Sequence, residues 1–249
     1  MASRLQAVAK VWKRYWRGEG KRPPWIRRIL TIIFAFLVPI PILLILIFRF
    51  EPIPGTPQML FSLATYHGAD YVWRGSSHFP SYLGRAVIGA EDQLFCSHNG
   101  FDWKNINKTM REYERNPRKT MRGASTISQQ TARSLFLLPT RSWVRKGMEA
   151  YLTVLIEALW PKERILHVYL NVVDWGHGIF GAEAAAQAYF NVSASALSRT
   201  QAARLVAVLP NPSRWNAARP GPYVRGRTAI LERRMSQVAN DGLDRCVRR

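Results

Sequence analysis

The longest hydrophobic run in the chain, Ile29 to Phe48 (ILTIIFAFLVPIPILLILIF), contains no charged residue. As a helix it would reach about 30 Å, the thickness of the hydrocarbon core of a bilayer. A secretory signal peptide has a shorter apolar region and ends at a small-residue cleavage site. Here Arg49-Phe50-Glu51-Pro52-Ile53-Pro54 follows, so the pattern predicts an uncleaved membrane anchor over residues 29–48. Pro39 and Pro41 are tolerated in such a helix at the expense of a kink.

Beyond the anchor, EPIPGTP (51–57) reads as an extended linker and residues 66–80 as irregular. Apolar positions then recur at helical spacing. Leu83, Val87, Ala90 and Leu94 predict a helix starting near Tyr82. The stretch from Arg141 to Trp160 reads as one long helix with Val144, Met148, Leu152, Leu155, Ile156 and Leu159 on its apolar side. Pro161 ends it and opens another, in which Ile165, Leu166, Tyr169 and Leu170 mark the buried side. An Ala-rich helix over 181–190, one over 198–208 and a last over about 223–238 complete the pattern. With strand signals nearly absent and no internal repeat, the expected class is all-α.

Charge adds a direction to this layout. The formal net charge is +20, from 36 Lys and Arg against 16 Asp and Glu. Nine of the cations (Arg4, Lys10, Lys13, Arg14, Arg17, Lys21, Arg22, Arg27 and Arg28) precede the apolar run, and such a cluster stays cytoplasmic. The expected organisation is a basic cytoplasmic tail (1–28), a transmembrane helix (29–48), a linker and domain entry (49–80) and a helical domain (81–249) on the outer face of the cytoplasmic membrane. Trp12, Trp16 and Trp25 among those cations suit a membrane interface. No nucleic-acid partner is expected, because most of the charge would lie outside the cytoplasm. Residues 101–122 form a second basic run, readable as a solvated helix face or as a segment resting on anionic lipid headgroups. Cys96 and Cys246 are too few for a disulfide framework, and a single bridge between them would suit an oxidising compartment.

Candidate chemistry begins at Glu91. If the helix continues past it, Val87 and Ile88 lie one turn before and Leu94 and Phe95 one turn after, so a carboxylate is set into an apolar stripe. Desolvation there would raise its pKa, as a general base requires. The plainer reading is a half-exposed acid at a helix end, closed by Asn99-Gly100. Asp92, with Ile88 and Phe95 around it, fits the pattern equally well. Gly123 to Gln130 (GASTISQQ) has the form of a turn feeding a helix N-terminus, where free N–H groups favour anions. Arg141, Arg145 and Glu149 are spaced by four, with Lys146 beside them. Either this is a surface ion pair or, with Arg133, it is a cationic wall for a diphosphate in which Glu149 holds the cations or a metal in register.

Five stretches together resemble the motifs of the peptidoglycan glycosyltransferases, glycosyltransferase family 51: EDQLFCSHNG (91–100), GASTISQQ (123–130), RKGME (145–149), KERILHVYLN (162–171) and RTAILERRM (227–235). The layout is similar to the monofunctional members, with no transpeptidase domain expected after the last motif. Ser128 stands where many members have Thr, and Arg133 and Arg141 where others carry Lys. The resemblance implies a lysozyme-like, two-lobed helical fold whose smaller lobe lies near residues 101–122 and dips into the bilayer. It implies polymerisation of lipid II into glycan strands, with release of undecaprenyl diphosphate, in cell wall biogenesis. By the same resemblance Glu91 would be the general base, and Glu149 with Arg133, Arg141, Arg145 and Lys146 would stabilise the diphosphate. A divalent cation such as Mg is a further candidate for that role. Ser125, Gln129 and Gln130 would bind sugar hydroxyls or phosphate, and Asp92, Phe95 and His98 would complete the substrate site. Lipid II, the growing strand and the membrane are the expected partners, with cell-wall synthesis or division proteins as further candidates. A wall hydrolase, a non-catalytic membrane scaffold and a nucleic-acid binder are the rival readings, and none explains all five motifs behind an anchor.

Overall fold

The computed structural model describes residues 24–66, 68–116 and 125–248. The basic tail up to residue 23, and Arg118, Lys119, Arg122, Gly123 and Ala124 of the second basic run and the GASTISQQ stretch, lie outside the described residues. The chain divides into two compact units, Met1–Leu46 and Ile47–Arg249.

The apolar run is helical from Pro24 to Phe48, long and apolar enough to cross a membrane. It starts five residues before the charge-free stretch, taking in Trp25, Arg27 and Arg28. Helices α1 (Pro24–Leu37) and α2 (Pro39–Phe48) meet at Val38, where Pro39 cannot donate. The ladder continues across the joint through Val38 N–H to Phe34 O and Ile42 N–H to Val38 O. Ile32, Phe34, Phe36 and Leu43 are exposed, as a lipid-facing surface requires.

Among the described residues the second unit is all-α apart from a two-residue parallel pair, β1 (Asp70–Tyr71) against β2 (Ile179–Phe180), and an isolated antiparallel bridge between Asp174 and Phe180. Its helices are α3 (Pro57–Tyr66), α4 (Ser81–Glu91), α5 (Trp103–Arg115), α6 (Ile127–Phe136), α7 (Trp143–Leu159), α8 (Lys162–Val172), α9 (Ala182–Phe190), α10 (Arg199–Val208) and α11 (Pro222–Asn240). Helix α3 falls inside the segment read from sequence as linker and domain entry. Pro57 supplies its first residue and the Thr56 hydroxyl accepts from Met59 N–H.

Local sequence explains most of the boundaries. Thr126 and Ser198 each form a capping box, with Gln129 and Gln201 three residues on. Pro161 precedes α8 and Pro222 opens α11. Two packed groups build the core: α4 with α10 and α11, and α6 with α7 and α8. Gly89 permits the first, because a Cβ there would lie 3.1 Å from Cβ of Arg234 on α11. At Gly181, before α9, φ is +82° and a Cβ would meet the Asn171 carbonyl oxygen at 2.4 Å, so only glycine fits. Trp175, Tyr169, Phe95 and Phe180 are the largest side chains sealed inside.

Two boundaries differ from the sequence reading. Helix α4 stops at Glu91 and does not run on through Leu94 and Phe95, because Asp92 leaves the helical region at φ −161°, ψ 78°. Helix α7 starts at Trp143 with Ser142 as its cap, which leaves Arg141 outside it. Val144, expected on the apolar side of α7, is 79% exposed, while Leu152 and Ile156 do carry the packing.

Candidate active site

Glu91 is the last residue of α4 and opens onto a cleft of about 880 Å³. Its side chain is 16% exposed, so it is neither immersed in an apolar stripe nor free in water. One carboxylate oxygen accepts from Gln130 Nε2 at 2.9 Å, and the other lies 3.8 Å from Arg227 Nη2. Gln130 is oriented in turn by Tyr169, whose hydroxyl donates to Gln130 Oε1 at 3.2 Å. Burial pushes the Tyr169 phenol well up, and the Glu91 charge pushes it further, so the phenol is a protonated donor. A chain of contacts from α8 through α6 thus fixes the acid at the end of α4.

The turn after Glu91 is built by Asp92. Its carboxylate accepts from the backbone N–H of Ile127, the first residue of α6, at 3.0 Å and contacts His98 Nε2 at 2.9 Å and 3.1 Å. An anion at a helix N-terminus is stabilised both by the unpaired N–H and by the dipole. Asp92 and His98 therefore join the EDQLFCSHNG stretch to the Thr126–Gln130 stretch. Phe95 is fully buried, edge-on to His98, with Lys162 Nζ 4.6 Å from its ring centre. It supports the loop from beneath and does not line the cleft. The neighbouring Cys96 is bridged to Cys246.

Gln129 also turns inward. Its side chain accepts from Thr126 N–H in the capping box and is buried. Ser125 lines the cleft and receives a 3.4 Å contact from Lys146 Nζ. Glu149 lies behind it, 2% exposed, with one oxygen 2.6 Å from Arg145 Nη1 and the other bonded to Lys146 Nζ. Breaking such a pair leaves a buried charge without compensation, which costs about 3–5 kcal/mol. The Nε–H groups of Arg145 and Arg227 are buried and lack a protein partner among the described residues. Each is a donor that an anionic ligand could satisfy.

Glu91, Asp92 and Ser125 thus line one cleft, with Gln130 joined to it through Glu91, His98 through Asp92, and Lys146 with Glu149 and Arg145 through Ser125. Arg141 is exposed ahead of α7 and makes none of these contacts. Arg133 is half-buried on α6 and acts electrostatically on Tyr169 and Asp174. Among the described residues no three His, Cys, Asp or Glu side chains come together as a metal-binding group. Both oxygens of Glu149 are already engaged by cations.

Tyr169 and Arg227 belong to quoted motifs but carried no expected role. Glu157, which accepts from Ser128 and pairs with Lys162 at 2.7 Å, was likewise unmarked. Asn171, at the end of KERILHVYLN, accepts from Arg74 N–H at 2.8 Å and donates to the Arg74 and His167 carbonyls. Buried Glu183 accepts from Ala194 N–H and contacts His78 and Arg74. Polar residues at buried helical positions were the available signal for Asn171 and Glu183.

The sequence profile described as transglycosylase matches residues 61–239. Among similar chains named biosynthetic peptidoglycan transglycosylase, that of Caulobacter vibrioides is 46% identical over 223 residues, covering 89% of this chain and 96% of its own. The protein of that name from Chromohalobacter salexigens is 48% identical over 223 residues, covering 86% of this chain and 94% of its own. The one from Pseudomonas aeruginosa is 45% identical over 221 residues, with the same coverage of 86% and 94%. By the extent of the profile match and these identities along most of its length, the chain belongs to the transglycosylase family.

Proposed function

We propose that the chain is a peptidoglycan glycosyltransferase that polymerises lipid II into glycan strands. The observation that carries this reading is the cleft itself. At its edge stands a carboxylate held by an amide and a guanidinium, and through Ser125 it meets the cluster of Arg145 and Lys146 on buried Glu149, where the Arg145 Nε–H lacks a partner among the described residues. Those are the two chemical ends of a transfer from a sugar diphosphate to a sugar hydroxyl.

In this reading Glu91 removes the proton from the acceptor 4-hydroxyl as that oxygen bonds to the anomeric carbon of the donor. The bond from that carbon to the diphosphate breaks on the opposite face, its electron pair leaves with the diphosphate, and the anomeric centre inverts. Gln130 and Arg227 fix the direction in which the Glu91 oxygens point. Arg145 and Lys146 receive the charge that develops on the leaving group, and Glu149 keeps them in place beforehand. A divalent cation on the diphosphate beside this cluster would meet Glu149, whose two oxygens already engage Arg145 and Lys146.

The apolar Pro24–Phe48 helix would hold the enzyme at the inner membrane, where its lipid-borne substrate is. The basic residues before it favour a cytoplasmic N-terminus, which would leave the catalytic unit outside. The Cys96–Cys246 bridge is in keeping with that oxidising side. Incubating the purified chain with fluorescent lipid II in detergent should yield long, muramidase-sensitive polymer. If finished strands are cleaved and lipid II is left unpolymerised, the protein is a hydrolase and this reading is wrong.

A further inference from the structure

Helix α5 buries none of its residues, and its two faces differ sharply. Trp103, Met110 and Tyr113 are exposed on one side. Lys104, Lys108, Arg111 and Arg115 recur on the other at steps of four, three and four. At 100° per residue these four cations fall within an arc of about 60° and run for about 16 Å along the helix. This is the basic run that the sequence left open as a solvated face or a lipid-headgroup contact.

In the structure all four cations line the cleft that Glu91 opens onto. Among the described residues no carboxylate lies within ion-pair distance of any of them. The acids that share the cleft have other work. Glu91 is held by Gln130, Asp92 by Ile127 N–H and His98, and Asp102 caps α5 through Asn105 N–H. Glu112, on α5 itself, is the remaining one. Four like charges about a turn apart repel one another, so an anion laid along them recovers energy that the free protein lacks. The Arg145–Lys146 pair does not line this cleft, and Glu149 offsets one of its two charges.

We propose that the Lys104–Lys108–Arg111–Arg115 stripe of α5 binds the anionic groups of the substrate arm lying beside Glu91, which is the acceptor if Glu91 is the base as proposed above. The shared chemistry is oxyanion on a long, shallow row of cations. The diphosphate of a lipid-linked acceptor and the carboxylates of its peptide are the two sources. The length of the stripe exceeds a single phosphate contact and suits charges spread along a chain.

Binding, not turnover, tests this. In a Glu91→Gln background, which blocks the proposed proton transfer, lipid II affinity is measured in neutral detergent with and without Lys108→Gln/Arg111→Gln. Both positions are exposed, so the fold is not at stake. The double substitution should weaken binding by about tenfold and flatten its dependence on salt. The pair Lys108→Arg/Arg111→Lys should restore it. Loss that persists with a peptide-free disaccharide diphosphate lipid assigns the diphosphate. Loss that disappears when the peptide carboxylates are amidated assigns the peptide. Unchanged affinity for all three ligands overturns the proposal, as does an equal loss of binding to anionic vesicles without substrate, which would make the stripe a membrane contact. Failure of the unsubstituted enzyme to polymerise lipid II would instead remove the proposed function, and the binding comparison would still decide the role of the stripe.

Discussion

The amide of Gln130 bridges Glu91 and Tyr169: its nitrogen lies 2.9 Å from a Glu91 carboxylate oxygen, and its oxygen accepts from the Tyr169 hydroxyl at 3.2 Å. The phenol decides which end of the amide faces the carboxylate, because a phenol held protonated by burial donates and so claims the amide oxygen.

Glu91→Gln keeps the shape of this arrangement and removes the base. Polymerisation of lipid II should fall by about 10²- to 10⁴-fold, the usual worth of a positioned general base. The thermal melting temperature should move little, since the side chain is partly exposed and its neighbours retain hydrogen-bonding partners. Activity within a few-fold of the unsubstituted enzyme would remove Glu91 from the mechanism.

Tyr169→Phe should separate kcat from KM. Without the hydroxyl, Gln130 can turn its oxygen toward Glu91, so kcat is expected to fall by about tenfold while KM for lipid II stays nearly constant. The lost hydrogen bond should cost about 1 kcal/mol of stability, measurable by denaturant titration. A rise in KM with kcat intact would place Tyr169 in substrate binding instead.

The two cations on Glu149 make opposite demands on their variants. Arg145→Ala leaves a buried carboxylate with one partner, and a drop in stability of about 3 kcal/mol should accompany the loss of activity. Lys146→Ala removes the more exposed partner and should cost less stability while still depressing kcat. Equal destabilisation by both, with activity following stability alone, would reduce the cluster to a structural ion pair.

Acid should unfold the second unit partly through Glu183. Burial opposes ionisation of this carboxyl, but hydrogen bonds from Ala194 N–H, His78, Gln187 and Arg74 outweigh it and hold the pKa at about 2, below the ordinary 4.5. A depressed carboxylate contributes its stability in full above the unfolded value, and that contribution is lost as pH falls from about 4.5 towards 2. Its size is on the order of 3 kcal/mol. Glu183→Gln should therefore lower stability at pH 7 and flatten the acid limb of the stability curve, as read by urea midpoints across that window.

The elements were legible where the cause was local. Thr126-x-x-Gln129, Ser198-x-x-Gln201, Pro161 and Pro222 are boundary signals because a cap or a proline acts within a turn of itself. The end of α4 was not legible, because Leu94 and Phe95 continue the helical spacing while Asp92 is drawn away by His98 and Ile127, partners that only the fold supplies. Arg141 fell outside the expected face for a local reason that the apolar spacing masked: Ser142 accepts from Arg145 N–H and starts the helix at Trp143. At the candidate site, spacing within α7 sufficed to place Arg145 and Lys146 with Glu149, four and three residues away. Contacts that join distant motifs, Tyr169 to Gln130 and Arg227 to Glu91, have no periodic signature, and neither does the facing of α5 toward the cleft.

The bridge from Cys96 to Cys246 ties the loop next to Glu91 to a residue made 150 positions later. That loop can be locked only after the intervening helices have been made and an oxidant has met both thiols. Maturation is thereby coupled to oxidation: a copy cut short before residue 246, or kept in a reducing compartment, would carry every motif and still lack the clamp beside its proposed base.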